Sequence, residues 1–543
     1  MAQDELHRAL ESPAAYPSPA STVEVIETHL SRLYFVGERV FKVKKAVDLG
    51  FVDFTTLEKR RHACEEEVRL NRRLAPGVYR GVLPVVRDAI GRVHVGGAGE
   101  PIEYAVEMER LPAAQMLDRK LERGEIDSEC LDRIVALLVD FHAGAERGPR
   151  IDALAAPDVV AKQVSENLDE SEAAARRLDA LGESTAPCLP PRLAAHLRGA
   201  FTRFAREERA RFERRIAQRR IVEGHGDLHA GNLCVLPDRL VAFDRIEFSL
   251  AFRCLDVAAD LAFLLMDLDR LGFPAFGRDL ARRYAQRAGD PDLEAMLGFY
   301  KAHRACVRGK VAALRGAGSG DAAVRAQARL EALGFFALAA SYALPPFLIA
   351  TCGLPGSGKT YVARRIGTPL NARHLQSDFE RKRMTGIAPT TRVPKEREAE
   401  VYSEAMTDRT YAALVDEARG ELARARRVIV DATFPSASLR AQPLALAREL
   451  GIPFVLLLCV VDDTEARRRL TARGGERGQF SDADVAVFER ARARFEPPDE
   501  VPASQRVDVR PGVATQELVA AVIERAVEQL ESAGRLPVTF HLG

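Results

Sequence analysis

Hydrophobic and polar residues alternate over the first part of the chain, and a helical spacing replaces this alternation further on. Residues 23–45 alternate with a period of two, and Gly37-Glu38 within them predicts a hairpin turn. Residues 57–74 carry the spacing of an amphipathic helix, and further strands are predicted at 82–86, 93–95 and 103–108. Because mostly helical sequence follows Leu117, we expect a small mixed α+β lobe and then a large helical lobe.

From residue 347 onward, short apolar runs alternate with helical segments. The candidate strands are residues 347–352, 373–376, 428–430, 454–461 and 506–509. Strands that alternate with helices predict an α/β fold with a parallel sheet. Ala343-Leu344-Pro345-Pro346 interrupts the pattern just before the first of these strands, so we expect two domains, 1–345 and 346–543.

The first strand of the second domain runs into a phosphate-binding loop. Residues 353–360 match the pattern G-x-x-x-x-G-K-S/T at every fixed position, and a helical segment follows. The loop residues expected to surround the phosphates are Gly353, Gly356, Ser357 and Gly358. Lys359 would contact the terminal phosphates, and Thr360 would place its hydroxyl on Mg²⁺. The sequence therefore predicts a site for ATP and Mg²⁺.

Two aspartates follow strands of the same domain, where ligands of parallel sheets bind. Asp431 ends the strand at 428–430 and is a candidate metal ligand. Asp378 is a candidate base for a substrate hydroxyl, with Arg381 and Arg383 close by for an anionic group. For each aspartate a helix N-cap is the alternative. Arg473 could reach the phosphates from a lid or could equally be a surface arginine.

A second motif lies in the first domain, at residues 225–232. Asp227 is followed five residues later by Asn232, and Asp244 comes after a short predicted hairpin. In phosphoryl transfer, a first aspartate at this spacing orients or deprotonates the attacking hydroxyl, and the asparagine and second aspartate hold Mg²⁺. Asp256 and Asp260, at the start of an apolar helix, are expected to be structural.

Residues 20–340 resemble the aminoglycoside phosphotransferase family, a branch of the protein-kinase-like fold, through the segment His225-Gly226-Asp227 and Asn232. The resemblance implies a bilobal domain with Asp227 as catalytic base and with Asn232 and Asp244 as metal ligands. It implies that His225 organises the loop. It does not identify the substrate.

The same fold needs a strand lysine paired with a helix glutamate to hold the nucleotide phosphates. Strand alternation places Lys42 and Lys44 on one face, and Lys42 is preferred because apolar residues flank it. Glu67 shares a helical face with Cys64, whereas Glu65 aligns with arginines and is expected to face solvent. No glycine-rich G-x-G-x-x-G loop precedes Lys42.

Residues 347–543 resemble the small P-loop kinases of the gluconate kinase, zeta-toxin and chloramphenicol phosphotransferase group, and AAA-type ATP-binding domains. With both resemblances, we expect a bifunctional ATP-dependent phosphotransferase acting on small-molecule hydroxyls. Three alternatives stay open. The P-loop domain could be a regulatory switch, the first domain could be a nucleotide-binding scaffold without turnover, or the protein could be a protein kinase or toxin-like enzyme.

The composition of the chain argues against nucleic-acid and membrane partners. Lys and Arg total 79 and Asp and Glu total 78, a formal net charge of +1 that gives no support to a general nucleic-acid-binding surface. The N-terminus lacks a signal-peptide pattern, and no apolar stretch reaches the length of a membrane span. The eight cysteines are scattered, as expected for free thiols. We therefore expect a cytoplasmic protein with no nucleic-acid or membrane partner.

Basic residues in the helical lobe bear on the acceptor. The run at 203–220 is expected to face solvent. A second basic stretch favours a neutral or anionic acceptor over a polycationic drug, and it consists of Lys301, His303, Arg304, Arg308 and Lys310. The oligomeric state cannot be read from the sequence.

Overall fold

The two hydrophobic periods of the sequence reappear as strands and helices along the described chain. The computed structural model describes residues 3–17, 21–48, 50, 52–182, 186–473, 483–537 and 539–541. The strands are β1 (Glu24–Glu27), β2 (Ser31–Val36), β3 (Arg39–Lys44), β4 (Tyr79–Arg87), β5 (Val93–Val95), β6 (Glu100–Glu109), β7 (Ile221–Glu223), β8 (Leu233–Val235), β9 (Leu240–Ala242), β10 (Cys254–Asp256), β11 (Leu348–Cys352), β12 (Ala372–Gln376), β13 (Arg427–Asp431), β14 (Phe454–Cys459) and β15 (Arg506–Val509).

Helices separate these strands and dominate the middle of the chain. They are α1 (Gln3–Leu10), α2 (Leu57–Asn71), α3 (Leu117–Glu122), α4 (Ser128–Ala143), α5 (Pro149–Leu154), α6 (Pro157–Asp179), α7 (Pro191–Glu207), α8 (Arg209–Ala217), α9 (Leu250–Arg253), α10 (Val257–Leu271), α11 (Pro274–Ala288), α12 (Leu293–Ala317), α13 (Ala322–Tyr342), α14 (Lys359–Gly367), α15 (Ser377–Met384), α16 (Lys395–Val401), α17 (Glu404–Ala423), α18 (Ala437–Leu450), α19 (Asp463–Arg473), α20 (Val485–Arg494) and α21 (Thr515–Ser532). The expected change from strands to helices after Leu117 is present.

The elements group into two compact units. Unit 1 comprises Met1–Val160, Ala210–Leu268 and Ala275–Glu294, and unit 2 comprises Ala161–Arg209, Asp269–Pro274 and Ala295–Gly543. Helices α7 and α13, which precede residue 345, therefore belong to the same compact unit as the strands that follow it. The division into domains 1–345 and 346–543 is a division by fold type and stays a prediction.

Unit 1 begins with a six-stranded antiparallel sheet in the order β1-β2-β3-β6-β4-β5. The predicted hairpin between β2 and β3 turns at Gly37, whose φ of 56° favours glycine. Along β3, Phe41 and Val43 enter one hydrophobic cluster, while Val40 packs in another with residues of α2. Since side chains alternate along a strand, Lys42 lies on the same face as Val40, towards α2.

Helix α8 contributes the most buried cation of unit 1. Arg215 is 0% exposed, and its guanidinium bonds the carboxylates of Asp256 and Asp290, the latter at 2.8 and 2.9 Å. The prediction that the basic run at 203–220 faces solvent is therefore wrong for Arg215. A guanidinium can enter the interior when carboxylates compensate its charge and accept its hydrogen bonds.

Unit 2 contains a five-stranded parallel sheet in the order β12-β13-β11-β14-β15, which confirms the predicted α/β pattern. The strand predicted at 428–430 extends to Asp431, and the strand predicted at 454–461 ends at Cys459. Because β11 and β13 are parallel neighbours, the loop after β11 and the end of β13 meet at the same edge of the sheet.

Every cysteine is free and buried. Within the described ranges, no helix combines the length and the apolar character that crossing a bilayer requires.

Replacing Arg215 by methionine should lower the free energy of unfolding of unit 1 by about 3–5 kcal/mol, because two buried carboxylates lose their cation. Urea denaturation followed by circular dichroism measures the change. Arg214→Met is the matched control: its side chain is 51% exposed and lies 3.6 Å from Asp292, so we expect a change within about 0.5 kcal/mol. Equal effects of the two substitutions would contradict the structural role of Arg215.

Candidate active sites

The first candidate site is built around Lys42 on β3. Its Nζ lies 2.8 Å from Glu67 Oε1 and 2.6 Å from Asp244 Oδ1. The Lys42 side chain is 11% exposed and that of Glu67 is 0% exposed. Burial opposes the charged form of Lys42, but the carboxylates of Asp244 and Glu67 outweigh it and raise the pKa of the lysine well above its usual value. The lysine–glutamate contact that the sequence predicted is therefore present.

Asp244 and Asn232 lie at the same end of a short hairpin. In the antiparallel pair β8–β9, Leu233 pairs with Ala242, and the Phe243 N–H donates to the Asn232 carbonyl at 3.0 Å. Asn232 immediately precedes β8, and Asp244 lies two residues after the end of β9. Asp244 has φ 62°, a left-handed conformation that is uncommon for residues other than glycine. Burial alone would raise the pKa of Asp244, but the ammonium of Lys42 lowers it to about 2.

The loop from 225 to 232 places Asp227 beside Asn232. The Asn232 Nδ2 donates to the Asp227 carbonyl at 3.0 Å, and no hydrogen bond within the described part of the chain uses its Oδ1. The Asp227 carboxylate is 36% exposed, so a substrate can reach it. Amide and carboxylate oxygens are ligands that Mg²⁺ prefers, and the donor set of Asn232 and Asp244 fits this ion.

Asp260, at the start of α10, anchors the backbone of this loop. Its carboxylate is 0% exposed and accepts the backbone N–H groups of His225 at 2.6 Å and Gly226 at 2.9 Å, with His142 Nε2 at 3.2 Å. Asp260 is structural, as expected, but no sequence pattern indicated that it anchors the candidate catalytic loop. The only sequence signal for Asp260 was its position at the start of an apolar helix.

His225 links the loop to the segment that carries Asp244. Its Nε2 lies 3.0 Å from the Phe243 carbonyl, and its Nδ1 accepts the Asp227 N–H at 3.3 Å. Burial lowers the pKa of His225, so the neutral ring with one donor and one acceptor nitrogen is favoured. This arrangement agrees with the predicted role of His225 as organiser of the loop.

The second candidate site is the loop between β11 and α14. Gly353, Gly356 and Gly358 have φ values of 138°, 82° and 92°, which favour glycine. A Cβ on Gly353 would come within 2.5 Å of the Cys459 carbonyl. The Ser357 Oγ is buried and has no hydrogen-bond partner within the described residues. A buried hydroxyl without a partner beside a glycine cradle fits a phosphate group.

Lys359 and Asp431 face this loop. The Lys359 Nζ donates to the carbonyls of Gly353 and Leu354, both at 2.9 Å, and burial lowers its pKa. The Asp431 Oδ1 accepts the Thr351 hydroxyl at 3.1 Å, and Thr360 lies close enough to help lower the pKa of this carboxylate. Thr360 and Asp431 thus lie together, as a shared metal ion would require.

Two residues of β12 also contact Asp431 and were missed by the sequence reasoning. His374 Nε2 lies 3.1 Å and Gln376 Nε2 3.3 Å from Asp431 Oδ2. Burial would raise the pKa of Asp431, but the hydrogen bond and charge of His374 lower it. The two residues alternate along a predicted strand, and the parallel pairing of β12 with β13 brings that face to Asp431.

Helix α15 places Asp378 in its first turn and separates the two candidate arginines. Arg381 is 7% exposed; its Nη1 donates to Val401 O and Thr407 Oγ1, each at 3.1 Å, and its guanidinium lies 5.3 Å from the Tyr402 ring centre. Within the described residues, Arg381 has no carboxylate partner and its Nε has no hydrogen-bond acceptor.

Arg383 does not join Arg381. It is exposed and pairs with Glu380 at 2.6 Å on the same helix. A neighbouring carboxylate thus already pairs with Arg383, and the joint role of Arg381 and Arg383 stays a prediction. Arg473 ends α19, and its side chain lies outside the described residues.

The basic stretch on α12 is largely compensated within unit 2. Lys301 is 3% exposed and pairs with Asp269, and Lys310 lies 2.6 Å from Glu170. Burial lowers the pKa of His303 to about 3. These contacts remove the stretch as a reason to expect an anionic acceptor at the first site.

The fold and the loop geometry define the class of the C-terminal part. A family model described as AAA domain matches residues 348–498, the region that carries the glycine-rich loop and the parallel sheet. The C-terminal part of the chain is therefore a P-loop domain.

Whole-chain comparison adds the family. The chain is 30% identical over 472 residues to Uncharacterized protein Rv2004c of Mycobacterium tuberculosis and to Uncharacterized protein Mb2027c of Mycobacterium bovis. The match covers 87% of this chain and 90% of each relative. The chain belongs to the family of these mycobacterial proteins.

Solved structures resemble parts of the chain. A choline/ethanolamine kinase family protein from Mesorhizobium loti is 17% identical, with a TM-score of 0.35 over 61% of this chain and 92% of that chain. The APS kinase of Mycobacterium tuberculosis is 22% identical, with a TM-score of 0.25 over 35% of this chain and 99% of that chain. TM-scores this low assign no function.

Replacing Gly353 by alanine should remove nucleotide binding at the P-loop, because the added Cβ meets the Cys459 carbonyl at 2.5 Å. Titration with a fluorescent ATP analogue should give two nucleotides per chain for the unmodified protein and one for the variant. Gly420→Ala is the control, since its Cβ would meet only the Arg424 side chain at 3.8 Å. Unchanged stoichiometry in Gly353→Ala would contradict the assignment.

Proposed function

We propose that this protein transfers the γ-phosphoryl group of ATP to hydroxyl groups of small molecules at two separate sites. The observation that supports this most directly is the contact of Lys42 with both Glu67 and Asp244. These residues are up to 202 positions apart in sequence. Their meeting beside Asp227 and Asn232 matches the arrangement that protein-kinase-like phosphotransferases use. We further propose that the first half has this bilobal fold.

At the first site, each residue has a distinct task. Lys42, held by Glu67, binds the nucleotide phosphates, and Asp227 accepts the proton of the attacking hydroxyl. Asn232 Oδ1 and the Asp244 carboxylate would hold Mg²⁺, which neutralises charge on the phosphates. The Asn232 side chain donates to the Asp227 carbonyl, and the Asp227 carboxylate stays 36% exposed. Catalysis then comes from positioning and charge compensation.

At the second site, backbone amides of the glycine-rich loop and the Lys359 ammonium surround the phosphates. Thr360 and Asp431 would hold Mg²⁺ there, and Asp378 accepts the proton of the acceptor hydroxyl. The charge of Asp378 acts on the pKa of Lys359, so the two groups lie within electrostatic reach. The N-cap of α15 is Gln376 and Asp378 lies in the first turn, which favours Asp378 as a base over a helix N-cap.

Arg381 indicates the chemical class of acceptor at the second site. A buried cation is costly unless an anion compensates it, and neither of its two neutral acceptors does so. We therefore propose that the acceptor of the P-loop site carries a carboxylate or phosphate group that pairs with the Arg381 guanidinium.

Asp227→Asn and Lys359→Ala should each remove one phosphorylated product and leave the other. We expect a loss of at least about 100-fold at the affected site, because Asp227→Asn removes the general base and Lys359→Ala removes a charge that stabilises the phosphates. The measurement is ³¹P NMR of the protein with Mg-ATP and fractionated cytoplasmic metabolites. Asp238→Asn and Lys395→Ala, both exposed, serve as controls.

A regulatory P-loop domain predicts another outcome of this experiment. If Lys359→Ala abolished both products, the P-loop would act as a switch for the first site. Incorporation of phosphate into protein alone would indicate a protein kinase. Absence of all products with bound nucleotide at both sites would indicate a scaffold and contradict the proposal.

Arg381→Met should raise KM for an anionic acceptor by about 10- to 100-fold, because the acceptor loses charge-assisted hydrogen bonds. The melting temperature should change little, since no carboxylate is left unpaired. Arg383→Met is the control and should leave KM unchanged. Steady-state kinetics with the product-forming metabolite fraction makes the comparison, and equal KM values for both variants would contradict the anionic acceptor.

A further inference from the structure

A second buried lysine, Lys44, extends the ion pairs of the first site into a closed arrangement. Its Nζ lies 2.5 Å from Glu67 Oε2 and also contacts the Glu247 carboxylate. Charges therefore alternate from Asp244 through Lys42, Glu67 and Lys44 to Glu247. Because Asp244 and Glu247 are three residues apart in one segment, the backbone closes this arrangement, which we name the charge ring.

The outer and inner parts of the charge ring differ in exposure. The side chain of Asp244 is 45% exposed and that of Lys42 is 11% exposed. The side chains of Lys44 and Glu247 are 1% and 5% exposed. Only the outer pair can therefore meet a ligand, and the inner pair stays within the protein.

The two outer groups compensate each other in this structure. Lys42 Nζ bonds Asp244 Oδ1 at 2.6 Å, and both are proposed to contact the incoming nucleotide and its metal ion. If Lys42 turned towards a phosphate, its ammonium would be shared between Glu67 and the anionic ligand. Lys44 holds the other oxygen of Glu67 and needs no ligand to do so.

Lys44 keeps its charge in this position. Burial opposes the ammonium, but the carboxylates of Glu247 and Glu67 outweigh it and raise the pKa of Lys44. Its ammonium also lies 5.6 Å from the centre of the Phe54 ring. The Lys44 ammonium is thus held by two carboxylates and an aromatic ring.

We infer that Lys44, anchored by Glu247, is a positioning residue that keeps Glu67 and the Asp244 segment in place while Lys42 and Asp244 exchange their mutual contact for phosphate and metal. This inference rests on the proposed function of the first site. Lys44 touches three parts of the fold: its own strand β3, helix α2 through Glu67, and the segment after β9 through Glu247.

The test measures how Mg²⁺ supports nucleotide binding at the first site. A fluorescent ATP analogue is titrated with Mg²⁺ in the Lys359→Ala background, so that only the first site reports. Lys44→Met should raise the Mg²⁺ concentration for half-maximal binding at least 10-fold. Lys45→Met is the matched control, because Lys45 follows Lys44 and pairs instead with Glu27 at 2.6 Å.

A double variant separates positioning from folding. Lys44→Met alone leaves Glu247 as an unpaired buried carboxylate and is expected to lower stability. Lys44→Met with Glu247→Leu removes both charges and should recover the wild-type melting temperature, since a buried ion pair can often be replaced by apolar residues. The Mg²⁺ requirement should remain raised at least 10-fold in the double variant.

Each outcome has a distinct meaning. A double variant that recovers both stability and the wild-type Mg²⁺ requirement would overturn the inference, because Lys44 would then matter only for folding. A folded Lys44→Met variant with an unchanged Mg²⁺ requirement would also overturn it. If the Lys359→Ala background bound no nucleotide at all, the proposed function of the first site would fail, and the inference with it.

Discussion

The contact of Lys42 with Glu67 and Asp244 is the interaction on which the first site depends. A charge taken out of water costs several kcal/mol unless an opposite charge meets it with good geometry. Strand β3, helix α2 and the segment after β9 each supply one of these charges. Neither Lys42 nor Glu67 can be buried favourably before an opposite charge arrives, so charge compensation couples the formation of the site to the formation of the fold.

Two buried arginines, Arg215 and Arg381, meet the cost of burying a charge in different ways. Arg215 lies between the carboxylates of Asp256 and Asp290, and its charge is fully compensated within unit 1. Arg381 is also buried, yet its hydrogen bonds within the described residues go to neutral oxygens, and its guanidinium lies beside the Tyr402 ring. The first arrangement stabilises the folded protein, and the second leaves a cation that the proposed anionic acceptor would compensate.

The two candidate sites would compensate the charge of phosphate groups with different parts of the chain. At the P-loop, phosphate would meet backbone N–H groups of consecutive residues, with Gly353 and Gly358 in conformations that favour glycine. At the first site, side chains from β3, α2 and two later loops would bind the phosphates and the metal ion. A local site can be recognised as a short motif, whereas a dispersed site depends on how distant segments pack.

The sequence alone determined the parallel sheet and the P-loop, because strand and helix periods and local motifs express backbone geometry over a few residues. The resemblance to the kinase-like fold implied a lysine–glutamate pair, and periodicity only selected Lys42 and Glu67 as its candidates. The sequence could not give the contacts of Asp260, His374 or Lys44. Each is defined by partners from distant segments, and no local spacing encodes them. Tertiary packing decided which carboxylate meets which cation, since burial and distance, not residue type, set the energy of a charge.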